Sequence, residues 1–369
     1  MKHHISYLIF GLFIVAFVSG CIQREVEMPP SVPEEIIEDS DQAVQGSNAE
    51  IQEPEKNCVS NTNPLFRAPF TDLSKIKSLT PIGNVNAGSL SRSYIFVKKD
   101  ENGKSALAPI YSPTDATLFG LVYAYRGKKS EGARAEYRLD MRTSCEVTFA
   151  FDHIAQISDK IKEFAPAIPA ENTRRDKEIS VLIKEGELLG YTDGVLAAGV
   201  WDFLLFNYAK EVPHINPSRW TSEHNKYADC PYDYFTEDLR KQYYAMFASA
   251  GGEKGQSTCR SASRDVAGTL SGGWFKGSST DMRGSRFYLG SDYSRVDLVI
   301  DTDNMPRFII RDENPRAKPE DVKADGSVCY SDGTNHAFLK LLTDTQMAVG
   351  IGPGGCPSSL PAEYETWVR

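Results

Sequence analysis

Asp152, His153 and Asp202 are the residues of this chain whose types best suit chemistry. Two carboxylates and an imidazole make a donor set that can hold a divalent metal. Their setting argues the other way. Val147, Phe149 and Phe151 alternate with Thr148 and Ala150, the period of a β-strand. Successive strand side chains point to opposite faces, which turns Asp152 away from His153. The competing account is a solvated aspartate, a histidine hydrogen-bonded at a strand end and a loop aspartate. His214, His224 and His336 are scattered without ligand spacing. No Ser-His-Asp or Cys-His arrangement is visible, and no Gly-x-Ser-x-Gly elbow precedes a helix. The glycines at 268, 272 and 273 lack the Gly-Lys-Ser/Thr of a phosphate loop and read as bulges or tight bends.

The elements that must position these residues are mostly β. Tyr94–Val97, Ala108–Tyr125, Val147–Phe151, Ile179–Tyr191 and Trp201–Asn207 read as strands of a first domain over 58–215. Ile154, Ile157, Ile161 and Phe164 fall at helical spacing, which predicts one amphipathic helix ending before Pro166. Pro213, Pro217 and the polar run to Asn225 mark a boundary. A second domain, 225–369, opens with a helix capped by Thr236, with Glu237 and Asp238 in its first turn. Leu239, Tyr243, Met246 and Phe247 form its apolar face. Short strands from Asp265 to Trp367 then suggest a small β-barrel or sandwich. Asp265, Trp274, Tyr330 and Asp332 there are either ligand contacts or turn carboxylates and core aromatics.

Residues 1–20 read as a lipoprotein signal peptide. Lys2 precedes an apolar run, Ile5 to Val18, that ends in Val18-Ser19-Gly20-Cys21. Cys21 is then the lipidated first residue of the mature chain, and the lipid anchors it to a membrane. Residues 21–57 read as a disordered acidic tether, rich in Glu, Asp and Pro. The chain carries a net charge of −9. With the leader at +1 and residues 22–57 at −8, residues 58–369 hold only about −2, which offers no basic face to nucleic acid. Cys58, Cys145, Cys230, Cys259, Cys329 and Cys356 show no Cys-x-x-Cys spacing. In an exported chain they read as disulfides, and proximity suggests 58–145, 230–259 and 329–356.

Four segments occur in the order found in the lysostaphin-type (LytM-like) zinc endopeptidases. These are Ala108–Leu118, Phe151–Ile157, Ile183–Gly194 and Trp201–Asn207, and together they resemble that family between Ile82 and Asn207. The resemblance implies zinc held by an early His and Asp and by a His-x-His on a later strand. Here Ile82–Val97 contains no histidine, and the His-x-His positions read Phe203 and Leu205. His153 alone matches a family active-site position, that of a histidine which is not a zinc ligand. The expectation is therefore no metal and no cofactor. Trp201, Phe203 and Leu205, with Tyr191, either line an apolar groove that binds or simply fill the vacated space. Cys230–Phe235, Asp265–Phe275 and Cys329–Tyr330 resemble the C-terminal portion that accompanies metal-less LytM-like domains in exported bacterial proteins. The reading is a membrane-anchored binding or scaffold protein of the cell envelope, whose ligand is peptide, glycan (peptidoglycan) or a partner protein. The alternatives are a metal-dependent hydrolase using Asp152, His153 and Asp202, and a carrier of an apolar ligand in the C-terminal barrel.

Overall fold

The computed structural model describes residues 58–85, 90–195, 199–249, 252–255, 257–293, 295–302 and 305–369. The leader, Cys21 and the tether lie outside the described residues. The first strands are β1 (Ile76–Thr80), β2 (Arg92–Val97), β3 (Ala108–Tyr111), β4 (Ala116–Tyr125), β5 (Ala135–Arg142), β6 (Val147–Ile154), β7 (Gln156–Ile157), β8 (Thr173–Ile183), β9 (Leu188–Thr192) and β10 (Val200–Asn207). Seven of them form an antiparallel sheet in the order β1-β2-β10-β6-β5-β4-β8, and β3-β9-β7 form a small sheet. The fold is mostly β, as expected.

Strand alternation explains the layers. On β6 and β10, Phe149, Phe151, Trp201, Phe203 and Leu205 point inward and are buried. They meet Phe66 and Phe70 from the N-terminal segment in an aromatic core. Phe203 lies 4.6 Å from Phe151 and 5.2 Å from Phe70, ring centroid to centroid. Truncating such a buried phenylalanine to alanine costs about 3–5 kcal/mol.

Two expectations change here. The helix predicted over 154–164 reduces to one turn, α1 (Asp159–Lys162). Ile154 instead pairs with Tyr137 and Ile157 with Gly190, so their apolar side chains are buried by sheet pairing rather than on a helix face. The domain boundary is also not where proline and polarity place it. Beyond a short helix, α2 (Glu223–Tyr227), Tyr232, Tyr234 and Phe235 enter the first core. So do Tyr243 and Phe247, at the C-terminal end of helix α3 (Glu237–Ala245). Thr236 precedes α3 as expected, but its hydroxyl makes no capping bond. The following segment closes the β1 edge, with Leu79 N donating to Met246 O (3.1 Å) and Ala248 N to Leu79 O (2.9 Å). An open edge is thereby covered.

The C-terminal half contains β11 (Gly272–Phe275), β12 (Arg286–Asp292), β13 (Arg295–Thr302), β14 (Met305–Asp312), β15 (Ser327–Ser331), β16 (Asn335–Thr343), β17 (Gln346–Pro353) and β18 (Glu365–Val368). They form one eight-stranded sheet, β14-β13-β12-β11-β18-β17-β16-β15, that curls into a nearly closed barrel. Ser331 N on β15 donates to Asp312 Oδ2 on β14 (3.1 Å), linking the two end strands. Leu270, Trp274, Leu298, Tyr330, Leu339 and Met347 are among the residues filling its core. A third apolar cluster includes Val85, Val212 and Trp220 from the first half and its linker, packed with Phe275 and Val299 of the barrel. All three expected disulfides form: Cys58–Cys145, Cys230–Cys259 and Cys329–Cys356. Such bonds persist in oxidising, extracytoplasmic surroundings. Among the described residues, no helix is long and apolar enough to cross a membrane.

Candidate functional site

Strand alternation predicts that Asp152 and His153 point apart; the structure brings them together. The β5–β6 register shifts between Tyr137 and Leu139, because Tyr137 pairs with Ile154 while Leu139 pairs with Phe151. Asp152 and His153 therefore stand opposite the single residue Arg138, which is a β-bulge. His153 takes a left-handed backbone, φ 64°. That conformation is uncommon for a residue with a Cβ. Two hydrogen bonds hold it: His153 N donates to Asp152 Oδ1 (2.7 Å), and Thr192 Oγ1 donates to His153 O (2.6 Å). Asp202 pairs with Asp152 across β6–β10. One ligand atom from each of Asp152, His153 and Asp202 lies within 4.8 Å of the others.

The trio is enclosed by charges that motif reading missed. Arg126 Nη2 donates to both Asp152 oxygens (3.3 and 3.1 Å), and its Nη1 lies 3.3 Å from Glu136 Oε2. His153 Nδ1 is 2.6 Å from the same Glu136 oxygen. A carboxylate only accepts, so Nδ1 carries a proton. The 2.8 Å approach of Arg126 Nη1 to Nδ1 is then two donors sharing one acceptor. Arg92 Nη1 donates to Asp202 Oδ2 (3.0 Å), which lies 3.7 Å from His153 Nε2. Arg138 Nε donates to Asp140 Oδ1 (2.9 Å). The signal was present in the sequence: Glu136, Arg138 and Asp140 alternate with apolar Tyr137, Leu139 and Met141, placing three charges on one strand face.

Titration follows from this packing. Burial works to raise the Asp152 carboxyl, but Arg126, His153 and Arg138 together hold it well below the usual carboxylate range. Burial works to lower His153, but Asp152, Glu136 and Asp202 outweigh it and raise the imidazole above its ordinary value. With His153 protonated, three guanidiniums and one imidazolium face Glu136, Asp140, Asp152 and Asp202, and the charges cancel. These residues do not suit a divalent metal. Coordination needs a proton-free imidazole, while this environment favours the protonated one. It also needs free carboxylate oxygens, while Arg126 and Arg92 hold those of Asp152 and one of Asp202. Among the ligand atoms of this trio, Asp202 Oδ1 is buried without a hydrogen bond.

The residues expected to form an apolar groove do not line one. Trp201, Phe203 and Leu205 are fully buried among the core aromatics, so they fill the space. Tyr191 is exposed on the small sheet, where it pairs with Gln156. Of the residues singled out in the barrel, Trp274 and Tyr330 belong to its core. The Asp265 side chain is buried, its carboxylate accepting from Ile215 N (2.8 Å) and Gly273 N (3.0 Å). Asp332 accepts from Thr334 N and Asn335 N in a turn. Comparison with family models, with curated proteins and with solved structures finds no match for this chain.

Proposed function

We propose that this protein is an exported, lipid-anchored binding or scaffold module of the cell envelope, without hydrolytic chemistry of its own. Its ligand is cell-wall peptide, glycan or a partner envelope protein. Three disulfides and a leader ending at Cys21 support the compartment. The observation that carries the non-catalytic reading is the state of His153. Nδ1 is committed to Glu136, Nε2 faces Asp202, and the neighbouring carboxylates are engaged by guanidinium groups. A general base must be able to receive a proton, and a metal must find open ligands. This cluster offers neither, and its balanced ion pairs brace the sheet instead.

One feature favours the hydrolase alternative, the unpartnered Asp202 Oδ1. Metal analysis and peptidoglycan digestion on the full-length chain decide between the two. The expected result is substoichiometric zinc after dialysis and no release of peptide ends. Stoichiometric zinc with cleavage that a chelator abolishes would reverse the reading. Capture of envelope components from a cell extract by the purified chain tests the scaffold role.

A further inference from the structure

The outward face of the seven-stranded sheet carries a second feature, a cavity of about 180 Å³. It lies along the same strands as the charged cluster, and Arg138 belongs to both. The Arg138 guanidinium is paired with Asp140 on the cavity side and feels Asp152 on the other. Ring-bearing side chains contribute to the walls: Phe119, Tyr208 and His224. His224 stacks on Phe206 (4.8 Å, 16° between planes), and Tyr208 is 41% exposed. The polar lining is mixed, with Asp140, Glu223 and Arg138 around the rings. The Arg142 guanidinium lies 4.8 Å from the centre of the Phe119 ring.

We propose that this cavity is a carbohydrate subsite, which receives one ring of a neutral glycan. The lining charges disfavour an anion: the one guanidinium in the walls, Arg138, is already paired with Asp140, and Glu223 adds a second carboxylate. A neutral polyol suits both sets, because each hydroxyl both donates and accepts. The carboxylates accept hydrogen bonds from the hydroxyls, and Arg138 donates to hydroxyl oxygens. The rings supply flat apolar faces for the CH face of a sugar. The cavity is below the range of drug-sized pockets, which limits it to a single ring per site. The proposal deepens the reading of this chain as a binding module and rests on it.

Saturation-transfer NMR on the full-length chain in detergent tests it, with chitotetraose and cellotetraose as neutral probes and Ala-Lys dipeptide as the charged control. Tyr208 and Glu223 are exposed, so Tyr208→Ala and Glu223→Gln should fold normally, which thermal melting checks. At least one saccharide should bind, and Tyr208→Ala should weaken it about five- to tenfold, the scale of a lost ring contact. Glu223→Gln should weaken it a few-fold, and the dipeptide should not compete. No saccharide binding at millimolar concentration overturns the subsite. So does affinity unchanged in both variants, or preferential binding of the dipeptide. Envelope capture that survives a failed saccharide test overturns the subsite alone. Saccharide binding without envelope capture overturns the scaffold role alone.

Discussion

Asp152 and Asp265 both bury their carboxyl groups, yet these move in opposite directions. Asp152 is held low, because Arg126 touches both of its oxygens and His153 and Arg138 add positive charge. Asp265 sits where the C-terminal half meets the linker. Burial pushes it up to about 6, and the amides of Ile215 and Gly273 and the more remote Arg369 do not compensate. Asp297 shows that a guanidinium nearby is not enough. Burial pushes it up to about 7 although Arg295 lies 3.2 Å away, and Asp292 adds to the rise. A dehydrated carboxylate stays charged when the surrounding charges balance and the contacts are direct. The bulge cluster meets both conditions; Asp265 lacks a direct guanidinium contact, and at Asp297 the charge of Asp292 upsets the balance.

Breaking the balance of the bulge cluster should have the largest effect. Arg92→Met leaves Asp202 without its ion-pair partner in a buried site and should cost about 3–5 kcal/mol in denaturant unfolding at pH 7. A loss near zero would mean that water reaches Asp202 and that the cluster is not desolvated. Next comes His153→Gln. The imidazole is raised in the folded state, so its contribution is fully present below the unfolded value of 6.5 and is lost as pH rises through its higher folded value. The wild type should therefore lose stability on the alkaline side of 6.5. The variant should start lower, by about 2 kcal/mol, and stay flat there. Parallel curves would show that His153 is neutral.

Asp265→Asn probes the contrasting region. A raised carboxyl makes the wild type lose stability as pH climbs from 3.8 to about 6. The variant should lack this slope, and at pH 7 it should lie within about 1 kcal/mol of wild type, since an amide oxygen still accepts a backbone bond. His214 titrates nearby, lowered to about 4 by burial, so the wild-type-minus-variant difference is the quantity to read. The smallest effect is expected from adding zinc: a metal that does not bind the native state leaves the melting temperature where it was. A rise that grows with zinc concentration would show that the cluster opens to accept the ion.

Much of this was legible in the chain. Alternation marked β6, the exported character of the chain marked the cysteines as disulfides with proximity suggesting the pairs, and the small-strand pattern after 265 pointed to a barrel or sandwich. Chemistry was harder to read, because Arg92, Arg126 and Glu136 match no motif. Only sheet order places β2, β6 and β10 side by side, with β5 and the end of β4 alongside. Helical spacing misled at Ile154–Phe164, where the same apolar residues satisfy sheet pairing. Polarity misled at 213–225, where the turn is real but the aromatics beyond it return to the first core.

Residue types and local periodicity determined which segments are strands and which side chains avoid water, since each depends on near neighbours or on overall composition. The meeting of Asp152 with His153 was left to the tertiary structure. One extra residue in β6 cancels the alternation, and a bulge shows itself only when the partner strand is in place. The protonation of His153 has the same origin, because its carboxylate neighbours come from three different strands.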